Sequence, residues 1–255
     1  MPYKIILINA LALFIFMSLA FLVARSRRRI DTVDVCWGLG FVLVAWSVMV
    51  QAPTGRSLLV AGLVTIWGLR LALHIHHRHK GKGDDPRYAE ITKKWKVDNI
   101  WPKAYVSIYL LQGVLVLAVS LPIVMISNIE LDGWYWLVVT GALIWLVGFV
   151  IEVVADRQLQ RFLRLKNRPK VLQTGLWHYS RHPNYFGELM QWWGIGTMAL
   201  SVSYGWVGLL GPLLLTYLMI FVSGIPPIEK RRLKDREYQD YKNRTSPIVL
   251  WPPKK

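Results

Sequence analysis

Apolar residues along this chain come in runs of about twenty, broken by short polar turns or by longer basic stretches. The first run, residues 4–24 (KIILINALALFIFMSLAFLVA), leads straight into RSRRR. Further runs cover 32–51, 57–77, 104–127, 132–154, 184–203 and 205–224. A helix needs ~20 apolar residues to cross ~30 Å of hydrocarbon, so the pattern predicts an all-α, polytopic membrane protein with seven transmembrane helices. The run 4–24 is too long for a signal peptide, has only Lys4 ahead of it, and carries its arginines on the wrong side. It is read as a permanent first helix. No internal repeat or linker interrupts the pattern, which predicts a single membrane domain over 1–255.

Composition agrees: 54% of the residues are hydrophobic and 13 are Trp. The net charge of +16 would point to nucleic acid in a soluble protein. Here the positions of the bases exclude that partner. Of the 31 Lys and Arg, all but Lys4, Arg56 and Arg70 fall just after the first run, in the loops 78–103 and 155–183, or in the tail after 225. These are alternate connections, as the positive-inside rule requires of cytoplasmic segments. The expected topology therefore has the N-terminus outside and the C-terminus cytoplasmic. The two long loops and the tail 225–255 are expected to form a cytoplasmic cap. A single cysteine, Cys36, allows no intrachain disulfide. Membrane lipids are the expected surroundings, and the chain is read as a monomer.

Three polar stretches interrupt the apolar pattern. In RHPNYFGELMQWWG (181–194), Pro183 suits the first turn of a helix, with Arg181 and His182 just ahead of it. Asn184 and Glu188 are four apart and share a face, which Gln191 and Trp192 continue. An ionisable residue inside a span is costly and points to a functional site. In GFVIEVVADRQLQRFLRL, Glu152 and Asp156 are again four apart, followed at helical spacing by Arg157, Arg161 and Arg164. Two readings stand for that segment: an amphipathic helix on the lipid surface, or acids for sugar hydroxyls and amides beside arginines for phosphates. In RRIDTVDVCWGLGF, Asp31 follows the arginines as a surface pair, whereas Asp34 lies deeper, one turn from Trp37 and Gly38. A buried carboxyl there is suited to polarising a carbonyl. Two other signals are discounted. GIGTMA (194–199) has no preceding strand and reads as helix packing; HIHHRHK (74–80) lacks partner acids at ligand spacing, so no metal is expected.

TGLWHYSRHPNYFGELMQWWG and SGIPPIEKRRLKDREYQDYKNRTSPIVLWPP, with DTVDVCWGLGF, WGLRL and DPRY, resemble the steroid 5-alpha-reductase-like membrane family in its bacterial branch. That resemblance implies a bacterial inner-membrane enzyme of seven helices. It would use NADPH to saturate a carbon–carbon double bond conjugated to a ketone, a 3-oxo-4-ene steroid being the first candidate. By position, Asn184 and Glu188 match the residues that hold the nicotinamide end, and Glu152 and Asp156 match an Asn and an Asp that serve the cofactor. Tyr179, Arg181, His182, Lys230, Arg231 and Tyr241 fall in cofactor-facing regions, and Arg157, Arg161 and Arg164 join them as phosphate partners. Asp34 falls near an acid that contacts the substrate ketone, and Trp37, Trp67 and Trp192 are candidate substrate-lining residues. The family's partner tyrosine for the ketone has no counterpart; the nearest match is Trp67, which has no phenol. The alternative is a membrane methyltransferase using S-adenosylmethionine, which shares the RHPxYxG core. The acid in NYFGE favours the reductase.

Overall fold

The computed structural model describes residues 2–79, 81, 83, 85–127 and 134–254. Among these the structure is helical, with an isolated parallel bridge between Ser180 and Ser246. Two compact units emerge, Met1–Gly133 with Ala199–Leu210, and Trp134–Met198 with Gly211–Lys255.

The first unit contains α1 (Pro2–Arg27), α2 (Thr32–Gln51), α3 (Gly55–His79), α4 (Pro86–Thr92), α5 (Ile100–Ala104), α6 (Leu111–Val119) and α7 (Leu121–Met125). A π-helical stretch, Tyr105–Leu110, joins α5 to α6. Past α1, Arg28 takes a left-handed backbone (φ 53) and the Arg29 N–H returns to the Ala24 carbonyl at 3.0 Å. That tight stop turns the chain directly into α2. The hairpin of α2 and α3 crosses at two glycines: a methyl added to Gly38 would sit 2.7 Å from the Gly68 carbonyl oxygen. Backbones this close need glycine, a device suited to lipid, where packing replaces the hydrophobic effect between helices. Trp46 Nε1 donates to Thr65 Oγ1 at 2.9 Å along the same seam. Against α1, Met17 fills the notch at Gly113, and Phe21 meets the rings of Trp101, Tyr105 and Tyr109.

The second unit contains α8 (Tyr135–Arg164), α9 (Leu176–Tyr179), α10 (Pro183–Ala199), α11 (Leu210–Tyr217), α12 (Ile225–Lys230) and α13 (Arg236–Arg244). Its seam repeats the glycine device with seven-residue spacing on both helices. A methyl on Gly141 would lie 2.4 Å from the Gly194 carbonyl oxygen, and one on Gly148 2.6 Å from that of Gly187. GIGTMA is thus helix packing, with Gly194 as its contact.

Six helical runs are long and apolar enough to cross a membrane: Tyr3–Arg27, Thr32–Gln51, Gly55–His79, Val97–Val119, Tyr135–Arg164 and Gly205–Lys230. The protein is an integral membrane protein. The remaining expected span, 184–203, folds as α10, 17 residues and so about 25 Å long. It is shorter than the other six because the chain leaves helix after Ala199 and turns through Tyr204, which has a left-handed backbone (φ 59).

Candidate functional site

In the first unit the chemistry centres on Asp34, in the first turn of α2 and 9% exposed. The segment DPRY supplies its partners. Asp85 caps α4 by accepting the Arg87 N–H at 2.8 Å, and Pro86 follows at the first helical position. This start places Arg87 and Tyr88 side by side in the first turn. Arg87 Nη2 donates to Asp34 Oδ2 at 2.6 Å and the Tyr88 hydroxyl donates to Oδ1 at 2.6 Å. Arg87 also reaches Asp85, with Nε–Oδ1 at 3.1 Å and Nη2–Oδ2 at 3.2 Å. Burial alone would lower the pKa of Arg87, but the Asp34 charge and the Asp85 bonds raise it further. Burial, then the Asp34 charge and hydrogen bond, push the Tyr88 phenol well above its usual range. Beside this group Asp31, 1% exposed, takes two bonds from Arg29 and lies 3.3 Å from His79 Nδ1.

Asp34, His79 and Asp85 bring ligand atoms within 4.8 Å of one another. Arg87 bonds to both of those carboxylates and supplies their positive charge, so the arrangement is an ion-pair network. Trp37 and Trp67 belong to the same unit, linked edge-to-face through Phe41 at 5.0 and 5.7 Å. Trp67, only 2% exposed, is a core residue of the α2–α3 seam.

In the second unit the glycine seam brings the two polar stripes of α8 and α10 together. Gln191 Nε2 donates to Glu152 Oε2 at 2.6 Å and reaches the Gly187 carbonyl at 3.3 Å. Asn184 Nδ2 donates to Asp156 Oδ1 at 3.3 Å. Glu152, Asp156, Glu188, Gln191 and Trp192 are all buried, at 3, 7, 7, 1 and 1% exposure. Glu188 lies on α10 between Asn184 and Gln191. The Gln191 Oε1 atom is buried and has no hydrogen-bond partner among the described residues.

The cap of this unit is a clamp on the tail. Arg181 Nε bonds Glu229 Oε1 at 2.8 Å, while Nη1 donates to the carbonyls of Lys242 (3.0 Å) and Thr245 (2.6 Å). Lys242 Nζ and His182 Nε2 complete the shell of Glu229 at 2.9 and 3.5 Å. Tyr241 sets its hydroxyl between the carbonyls of Trp177 and Ser180 and packs with Tyr238 and Val171. Arg181, His182 and Tyr241 thus join the segment before α10 to the tail. Tyr179, Lys230 and Arg231 are exposed, as are Arg157, Arg161 and Arg164 on α8.

The family described as protein of unknown function (DUF1295) matches residues 20–245, a stretch that holds every residue of both clusters and the tail clamp through Thr245. The chain belongs to this family, the steroid 5-alpha-reductase-like one. An uncharacterized protein of Schizosaccharomyces pombe is 25% identical over 61% of this chain and 54% of its own length. A steroid 5-alpha-reductase of Gossypium hirsutum is 37% identical over 32% of this chain and 30% of its own. The 3-oxo-5-alpha-steroid 4-dehydrogenase 1 of Bos taurus is 36% identical over 26% of each. The chain therefore spans about half of the yeast relative and under a third of the two reductases it matches. No solved structure matches it.

Sequence reasoning missed Tyr88, Arg87 and Glu229. Tyr88 is 54 residues from Asp34, and only the DPRY motif flagged its segment. Glu229 was visible as the acid opening EKRR, but no periodicity tied it to Arg181, 48 residues away.

Proposed function

We propose that this protein is a membrane oxidoreductase of the bacterial inner membrane. It uses NADPH to saturate a carbon–carbon double bond conjugated to a carbonyl in a lipophilic substrate, with a 3-oxo-4-ene steroid as first choice. Membership of the family and the names of the plant and bovine relatives support the reaction class. The observation that carries the reading is the stripe of buried Glu152, Asp156, Glu188 and Gln191, with half-buried Asn184 beside them, between two apolar helices. So many polar groups in a membrane helix pair need a polar ligand to justify their burial.

The residues present fit a nicotinamide cofactor. The open Gln191 Oε1 and the Glu188 carboxylate are acceptors of the kind a carboxamide N–H satisfies, and Asn184 offers an amide held by Asp156. When bound, NADPH supplies the hydride. Gln191 holds Glu152, Asn184 holds Asp156, and the apolar walls of α8 and α10 keep water out. The first cluster, taken by itself, has the groups to polarise a carbonyl. Asp34 already accepts two hydrogen bonds, so the proton is assigned to the Tyr88 hydroxyl, with Asp34 and Arg87 fixing its position. This assigns Tyr88 the phenol for which the sequence reading found no counterpart. Seven spans with the N-terminus outside, α10 being the sixth in chain order, remain the proposed topology.

The test is nucleotide binding by the detergent-solubilised protein. NADPH should bind with clear preference over NADH, because a 2′-phosphate needs arginine or lysine partners. Retention of S-adenosylmethionine in its place would assign the chain to the methyltransferases.

A further inference from the structure

Helix α8 has two unlike faces. One bears Gly141, Gly148, Glu152 and Asp156 and packs on α10. At roughly 100° per residue, the opposite face carries Val139, Leu143, Leu146, Val150, Arg157, Arg161 and Arg164 within a sector of about 60°. The four aliphatic residues are exposed by 60, 57, 51 and 52%. They lie in a run apolar enough to cross a membrane, so this is the side of α8 that meets lipid. The arginines continue that same lipid-facing stripe without a change of direction. All three are exposed, and none makes an ion pair among the described residues.

Depth along the helix agrees. Trp134, Tyr135 and Trp136 are exposed at the start of α8, an aromatic belt of the sort that marks one headgroup level. From Trp136 to Arg157 the helix rises about 32 Å, close to the ~30 Å thickness of the hydrocarbon. Arg161 and Arg164 extend one and two turns further. The three guanidinium groups therefore reach the phosphate layer of the opposite leaflet, and Leu163 and Leu165, 50 and 56% exposed, lie among them.

We propose that Arg157, Arg161 and Arg164 form a binding site for the phosphate of an anionic phospholipid headgroup. Guanidinium binds phosphate through paired N–H donors, and a phosphate can come from lipid or from a nucleotide. Continuity with the lipid-facing stripe, on the side of α8 away from Glu152 and Asp156, favours lipid. The site stands independently of the reductase reading.

The test uses the full-length protein in neutral detergent, titrated with phosphatidylglycerol or phosphatidylcholine and read by native mass spectrometry, with 2′,5′-ADP as a second probe. Wild type should retain phosphatidylglycerol preferentially. The variant R157Q/R161Q/R164Q should lose roughly a hundredfold in that preference, and R161Q alone about fivefold. Both replace exposed side chains, and the single variant guards against a folding defect in the triple one. An unchanged lipid preference would overturn the proposal. So would a loss of 2′,5′-ADP binding with the lipid preference intact, which would make the arginines nucleotide ligands.

Discussion

The two carboxylate clusters solve the same problem in different ways. Asp34 sits at the end of a membrane helix and takes a guanidinium and a phenol, both at 2.6 Å. Glu152 and Asp156 lie in the seam of α8 and α10 and accept hydrogen bonds from side-chain amides, Gln191 and Asn184. An ion pair fixes charge and position together. An amide fixes position and leaves more of the carboxylate's charge for a ligand. The first cluster holds its own groups still, and in the proposed function the second binds a ligand.

The contrast is sharpest in what each cluster should lose. Tyr88→Phe removes the hydroxyl assigned as acid and keeps the ring, so enone reduction should fall about a hundredfold to ten-thousandfold with nucleotide binding unchanged. Steady-state turnover beside a binding titration separates the two; a parallel fall in binding would place Tyr88 in the nucleotide site. Gly148→Leu attacks the second cluster through its seam. Its side chain would press on the Gly187 carbonyl and Met190, and a cost of about 3 kcal/mol should appear as a lower thermal midpoint in detergent. If the midpoint is unmoved, the seam is not the support described.

Smaller effects refine the comparison. Asp34→Ala leaves Arg87 without its shortest contact. Breaking a fully buried pair costs about 3–5 kcal/mol, but the Arg87 side chain is 36% exposed, so about 1–3 kcal/mol is expected in thermal unfolding. Glu152→Gln sets one amide against another. The charge-assisted bond from Gln191 becomes a neutral one, a loss of about 1 kcal/mol that the easier burial of Gln offsets in the thermal midpoint, while removal of the carboxylate charge should weaken nucleotide binding about fivefold. A purely structural Glu152 would show the reverse.

Much of this was legible in the chain. Six of the seven apolar runs overlap long apolar helices, and three of them, 4–24, 32–51 and 57–77, match within three residues at both ends, because length and hydropathy dominate in lipid. The two four-residue spacings, Glu152 with Asp156 and Asn184 with Glu188, were legible, but the bond from Asn184 to Asp156 needed the crossing that the glycines at 141, 148, 187 and 194 set. The loops were not legible. Tyr88 reaches Asp34 through a capped turn after a long connection, and Arg181 meets Glu229 only because the tail folds back. Such contacts follow from tertiary closure, which leaves no period in the sequence. Arg157, Arg161 and Arg164 show the opposite limit. Their spacing was plain, but which side of α8 they share emerged only once Gly148 and Glu152 were seen to face α10.

The central claim is that the buried stripe binds a nicotinamide cofactor through Glu188 and its neighbours. Equilibrium binding of NADPH to purified wild type and Glu188→Gln tests it most directly. Wild type should bind NADPH, and the variant, still folded, should bind it about tenfold to a hundredfold more weakly, the worth of one charge-assisted hydrogen bond. Equal affinity in the two proteins, with stability lowered in the variant, would contradict the claim and leave Glu188 a structural residue.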